Sequence, residues 1–230
     1  MTPENKQRIQ LFLVVAIVLA GARAGWIFYQ RHEENAQEAK KEQAPPLNPD
    51  YYVTPRKLYP YDLKTMQQLA QAPVWIKVGY AVDYVAFRGG KADFSHPAGT
   101  FLPLEKLQIE KVVKDGDQLA AVFTKDGKQY AFSVGQVAND QYNYAGNDLM
   151  YYDDPHQMYT HWPAEMWQAI DQHQVTKGMN ELQAGMAIGL GVPQSGGSFG
   201  NRTINYPNGG HPVAVTFANG KAVEVTQPAA

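Results

Sequence analysis

The segment Ile9 to Tyr29, IQLFLVVAIVLAGARAGWIFY, constrains this 230-residue chain more than any other stretch. Leu11 to Ala20 carries no polar side chain, and Trp26, Phe28 and Tyr29 stand at the far end, where aromatic rings favour a lipid–water boundary. About 20 apolar residues suffice for a helix to cross a hydrocarbon core of about 30 Å. Arg23 interrupts the run near its end, where the side-chain stem can stay in lipid while the charge reaches the headgroups. Ala22-Arg23-Ala24 also has the small-residue spacing of a signal-peptidase site, but the apolar run resumes at Trp26, which favours an uncleaved anchor. Lys6 and Arg8 precede the run like the basic region of a signal anchor. The sequence thus predicts a single-pass protein of the inner (cytoplasmic) membrane. Residues 1–8 are its cytoplasmic tail, residues 9–29 its contact with the membrane, and the rest an extracytoplasmic, periplasmic domain.

Residues 30–60 read as a linker, first charged and then interrupted by Pro45-Pro46 and Pro49, which stop a helix and favour extended chain. From Asp62, a good helix cap, Leu63, Met66, Leu69 and Ala70 recur at helical spacing. Beyond Pro73 the pattern turns to β, with VWIKVGY and DYVAF as strands and Pro97 to Pro103 as a loop. Asp115-Gly116 and Asp126-Gly127 then separate KLQIEKVVK, QLAAVFTK and KQYAFSV, and Asp-Gly between alternating segments signals tight hairpins. Residues 61–136 therefore read as a small, partly open, SH3-like antiparallel β module.

Residues 137–161 form a tyrosine-rich connection. A helix is predicted from about Pro163 through PAEMWQAIDQH and a second from Asn180 through ELQAGMAIGLG, closed by Gly191 and Pro193. Gly185 and Gly189 lie four apart on the second helix, a spacing that would let it pack closely on a neighbour. Three strands follow, with turns at Gly209-Gly210 and Asn219-Gly220. Gly178-Met179, Leu190-Gly191-Val192-Pro193, Tyr206 and the run Phe217 to Val223 match the layout of the BamE/SmpA/OmlA-like family, which residues 162–227 resemble. The resemblance implies a ααβββ module and a role in binding rather than catalysis, as in small envelope proteins that assemble or brace larger complexes. This chain lacks the family's lipid-attachment cysteine. The predicted fold class is α+β: a transmembrane helix, an SH3-like β module and a BamE-like ααβββ module.

With no cysteine, the chain has no disulfide, thiolate metal site or cysteine nucleophile, and a net charge of −2 offers no basic field for nucleic acid. No cofactor motif stands out. Gln194 to Arg202 lacks the lysine of a phosphate loop, and Ser195 and Ser198 lack a nucleophile-elbow setting. One polar cluster, YYDDPHQMYTHWP, brings together Asp153, Asp154, His156 and His161, ligand types that suit a divalent metal. Tyr142, Tyr144, Tyr151, Tyr152, Tyr159 and Trp162 crowd the same region and are candidates for a protein-partner surface or for a shared core. The leading expectation is a membrane-anchored, extracytoplasmic binding or scaffold protein, an accessory subunit or assembly factor and not an enzyme. The alternative is a metal-dependent enzyme or ligand-binding protein using the aspartate–histidine cluster.

Overall fold

Two-residue hairpin loops set much of the register. Gly89–Gly90, Gly116–Asp117, Asp126–Gly127, Asn139–Asp140 and Asn219–Gly220 each join paired strands, with positive φ at one or both positions. The structure is a computed structural model that describes residues 23, 25–27, 29–31, 33 and 48–227. Its strands are β1 (Val74–Ile76), β2 (Asp83–Arg88), β3 (Lys91–Thr100), β4 (Lys106–Leu107), β5 (Ile109–Asp115), β6 (Gln118–Lys125), β7 (Lys128–Ala138), β8 (Gln141–Tyr144), β9 (Met150–Tyr151), β10 (Val192–Pro193), β11 (Thr203–Tyr206), β12 (Val213–Ala218) and β13 (Lys221–Thr226). Two eight-residue helices, α1 (Ala164–Asp171) and α2 (Glu181–Ile188), precede β10, and the other helical pieces within residues 48–227 are single turns.

The strands form three antiparallel sheets, so the expected α+β class is corrected to a mostly β architecture with a few short helices. The first sheet has six strands in the order β3-β2-β7-β6-β5, with β8 added to β7. It replaces the expected SH3-like module for two reasons. The stretch from Pro97 to Thr100, read as loop, continues β3, and the tyrosine-rich connection supplies β8. The Ala92 amide of β3 donates to Asp115 Oδ2 of β5 at 2.7 Å, so the outermost strands of this sheet come together at that point. β6 is buried on both faces, which explains its unbroken apolar run LAAVF, Leu119 to Phe123. Leu119, Ala121 and Phe123 enter the main core, while Ala120 and Val122 enter a smaller one with Phe87 and Ala131. In the main core Phe101, Phe123 and Phe132 make mutual ring contacts at 5.1 to 6.0 Å. Each such ring contributes about 1.5–3 kcal/mol by burial.

The second sheet, β4-β1-β9, has three strands and separates two cores. Val74, Ile76 and Met150 face the core under the six-stranded sheet, while Trp75 and Tyr151 face the C-terminal core. Alternate residues of a strand point to opposite faces, so one small sheet serves both sides. The third sheet, β10-β11-β12-β13, covers α1 and α2 through Ile204, Tyr206, Val215 and Phe217. The expected ααβββ module is thereby corrected: the helices are two turns long and the sheet gains β10. α2 stops at Ile188 with Gly189 as its C-cap, earlier than the Gly191 end expected from sequence.

The chain divides into two units, 1–48 and 49–230. In the first, Arg23, Gly25–Ile27, Tyr29–Arg31 and Glu33 are helical, and Tyr29 Oη donates to Glu33 Oε1 at 3.1 Å. Leu11 to Ala20, the centre of the expected anchor, lies outside the described residues. Among the described residues no helix is long and apolar enough to cross a membrane. The helical positions described there include Arg23, Arg31 and Glu33, whose charges end an apolar run. The transmembrane, single-pass, inner-membrane placement and the periplasmic location built on it are corrected accordingly.

Candidate functional site

Residues 49–61 form a strap. A 3-10 turn covers Pro49–Tyr52, and the chain then runs without regular structure to the Asp62 cap of the helical turn Leu63–Met66. Pro49, Pro55 and Pro60 remove backbone donors and fix φ, which keeps such a segment extended and out of a sheet. The strap is tied down by side chains instead. Asp50, with its side chain 8 % exposed, has Oδ1 facing His161 Nε2 at 2.5 Å and accepting from Trp162 Nε1 at 2.7 Å, and Oδ2 accepting from Asn180 Nδ2 at 2.7 Å. A carboxylate withdrawn from water needs such partners, since an unpaired one is costly to bury. Arg56 Nη2 donates to the Tyr152 carbonyl at 2.6 Å, and its Nε lies 3.3 Å from Asp153 Oδ1. Asn147 accepts from the Leu58 amide at 2.9 Å and donates to the Leu58 carbonyl at 2.8 Å, taking the place of a neighbouring strand. Pro60 is buried, Val53 packs on the C-terminal core and Leu58 on the main core. Besides Thr54, Arg56 and Lys57, the strap leaves three aromatic rings in water: Tyr52, Tyr59 and Tyr61 are 69, 77 and 74 % exposed.

The aspartate–histidine cluster is dispersed over separate contacts. Asp153 pairs with Arg56, and His161 belongs to the Asp50 hub. Asp154 caps the helical turn Pro155–Met158, accepting from the His156 amide at 3.0 Å, and its Oδ1 lies 3.1 Å from His156 Nδ1. His156 Nε2 faces Asp171 Oδ1 at 3.1 Å, and its ring stacks on Trp167 with centroids 4.1 Å apart. Both imidazole nitrogens of His156 are thus directed at carboxylates that hold α1 to the preceding turn. Among the described residues no group of three or more histidines and carboxylates could hold a metal ion.

The expected partner-binding aromatics turn largely inward. Tyr151, Tyr152, Tyr159 and Trp162 are buried, and Tyr142 and Tyr144 are half-buried against the main core. Tyr159 stacks on Trp162 at 4.4 Å, and the hydroxyls of Tyr144 and Tyr152 share a hydrogen bond of 2.7 Å. Burial pushes the Tyr144 phenol up to about 12, against a weaker opposing effect of its bond to Tyr152. Burial also raises Tyr151 and Tyr152, and Tyr159 is raised by burial and then by the charge of Asp50. Sequence reading passed over Asp50, Arg56 and Asn147, and it read Asn180 as a helix cap without its bond to Asp50. The signal that was available is LYPYD, two tyrosines around a proline just ahead of a helix cap.

One further group has the residue types of a catalytic relay. Asp93, Ser95 and His96 lie together on exposed β3, with His96 Nδ1 2.9 Å from Ser95 Oγ and 2.8 Å from Asp93 Oδ2. A relay uses the two ring nitrogens for different partners, one for the nucleophile and one for the carboxylate. Here a single nitrogen meets both, and the side chains are 82 and 64 % exposed for His96 and Asp93, so the arrangement is a local turn of polar contacts.

No protein-family model, curated protein or solved structure matches the chain.

Proposed function

We propose that this protein is a non-catalytic binding or scaffold module that engages a protein partner through the strap at residues 49–61. The observation that carries this reading is the exposure of Tyr52, Tyr59 and Tyr61 on a segment held by Asp50, Arg56 and Leu58. Scattered exposed apolar groups are ordinary, but three exposed tyrosines between positions 52 and 61 give a clamped segment unusual aromatic area. Tyrosine supplies large contact area with few rotatable bonds, and a pre-ordered segment loses little conformational entropy when it docks. A BamE-like origin of the C-terminal segment would agree with this role and is not needed for it.

The test starts from the tagged full-length chain purified from its native source after mild cross-linking. A stoichiometric partner is expected, and its affinity is then measured for wild type and for the Tyr52→Ala, Tyr59→Ala, Tyr61→Ala triple variant. The variant should keep the wild-type Tm and bind roughly tenfold or more weakly, about 1.4 kcal/mol. Equal affinity, or a wild-type chain that recovers no stoichiometric partner, would remove the strap as the binding surface.

A further inference from the structure

A depression lies beside the β7–β8 pair, and none of its lining residues is among those that hold the strap. It arises from a bulge. Leu119 of β6 pairs with Gly135 and Ala120 pairs with Ser133, so Val134 is an extra residue on β7. A bulge bends its strand and redirects the following side chains. β7 then leaves β2 and continues along β8, pairing Gly135 with Tyr144 and Gln136 with Asn143. Gly135 takes φ +151, and a Cβ there would sit 2.1 Å from the Asn143 carbonyl oxygen, so the close approach of β8 requires glycine. The resulting hollow measures about 340 Å³, and Gln118, Ser133, Gln136, Asn143 and Asp148 line it beside Gly135, Tyr144 and Ala145.

Ser133 Oγ donates to Gln118 Oε1 at 2.7 Å, which leaves the Gln118 amide nitrogen free to donate. Among the described residues the side chains of Gln136, Asn143 and Asp148 make no hydrogen bond or ion pair. The hollow therefore offers carboxamides that both donate and accept and one carboxylate acceptor, with no lysine or arginine. The absence of a cation among the lining residues disfavours phosphate and carboxylate ligands, and a wall that is about half polar disfavours wholly hydrocarbon ones. A sugar ring matches this lining. Its hydroxyls each donate and accept, and its C–H faces can lie on the apolar part of the wall.

We propose that this hollow is a saccharide-binding site that takes a neutral one- or two-ring sugar. Its volume is near the lower end of small-molecule sites, about 300–1,000 Å³, which fits a ligand of that size. Gln136 and Asn143 face each other across the strand pair and read adjacent hydroxyls, and Asp148 accepts from a third.

The test titrates the full-length chain with maltose, cellobiose and N,N′-diacetylchitobiose and follows backbone amide shifts by NMR. At least one probe should saturate, with shifts centred on Gln136, Asn143 and Asp148. Asn143→Ala and Gln136→Ala should each weaken that binding roughly tenfold while keeping the wild-type Tm, since both side chains lie at the surface without partners. Absence of saturable binding by all three sugars overturns the proposal, as does binding that survives both substitutions unchanged. The triple tyrosine variant of the strap should bind the sugar like wild type, which separates this site from the proposed protein-docking surface.

Discussion

A single carboxylate, Asp50, holds the start of the strap to the C-terminal core through His161, Trp162 and Asn180. Removing it leaves the Trp162 indole N–H and the Asn180 amide without their acceptor in a site where water has poor access. Asp50→Ala is expected to destabilise the fold by about 2–4 kcal/mol, the scale for breaking a buried charged hydrogen-bond network. Asp50→Asn keeps an acceptor for one donor and should lose less. Urea denaturation of both variants, with limited proteolysis at the strap, checks the ordering. Equal stability of Asp50→Ala and wild type would mean that the hub does not hold the segment. The contrast with Asp62 shows which residues the sequence makes legible. Asp62 accepts from the Thr65 amide three positions on, and a cap of that kind is visible in a short window. Asp50 meets partners 111 to 130 positions away, and nothing local distinguishes it from a linker aspartate.

At the level of elements, hairpins were the most legible because their loops are encoded in the loop residues themselves. Asp126 and Gly127 both have positive φ, and that turn chemistry is written in the Asp-Gly pair. In the other Asp-Gly loop the turn shifts by one residue to Gly116–Asp117, because Asp115 still pairs with Gln118. Short edge strands were not legible. β8, β9 and β10 owe their pairing to neighbours distant in sequence and have too few residues to show a period. The candidate site suffered similarly: its tyrosines were visible, but which of them face water depends on tertiary packing. The two glycines of α2 separate local preference from packing. A Cβ at Gly185 would meet nothing within 4 Å, so this glycine permits no close approach, contrary to the reading from spacing. Gly185→Ala is expected to stabilise by about 0.5–1 kcal/mol, as alanine does in a helix interior. Gly189 has φ +84, and its Cβ would lie 2.5 Å from the Gly79 carbonyl oxygen. Gly189→Ala should therefore destabilise by roughly 2 kcal/mol or more. Denaturation midpoints moving in the same direction for the two variants would contradict this division.

Across residues 49–230, one small sheet with a different core on each face makes the two sides interdependent, and tyrosine hydroxyls crowd both. Tyr144 and Tyr152 meet on the main-core side, while Tyr151 and Tyr206 lie on the other. Burial raises all four phenols above their ordinary value of 10.0, with Tyr144 at about 12. These groups are neutral in the fold, so the unfolded chain gives up its phenolic protons at lower pH than the folded one. The stability they contribute is fully present below about pH 10 and is lost as pH rises through the folded values, between 10 and about 12 for Tyr144. A two-unit difference corresponds to roughly 2–3 kcal/mol, and several such phenols together exceed what a marginally stable domain can lose. Alkaline unfolding should therefore be steep. Phenolate absorbance is expected to follow circular dichroism for the raised set: Tyr144, Tyr151, Tyr152 and Tyr206 ionise above pH 10 in one step coincident with loss of structure. If these four phenols ionised near pH 10 without loss of structure, they would have to be open to water, and the shared wall between the two cores would not exist as described.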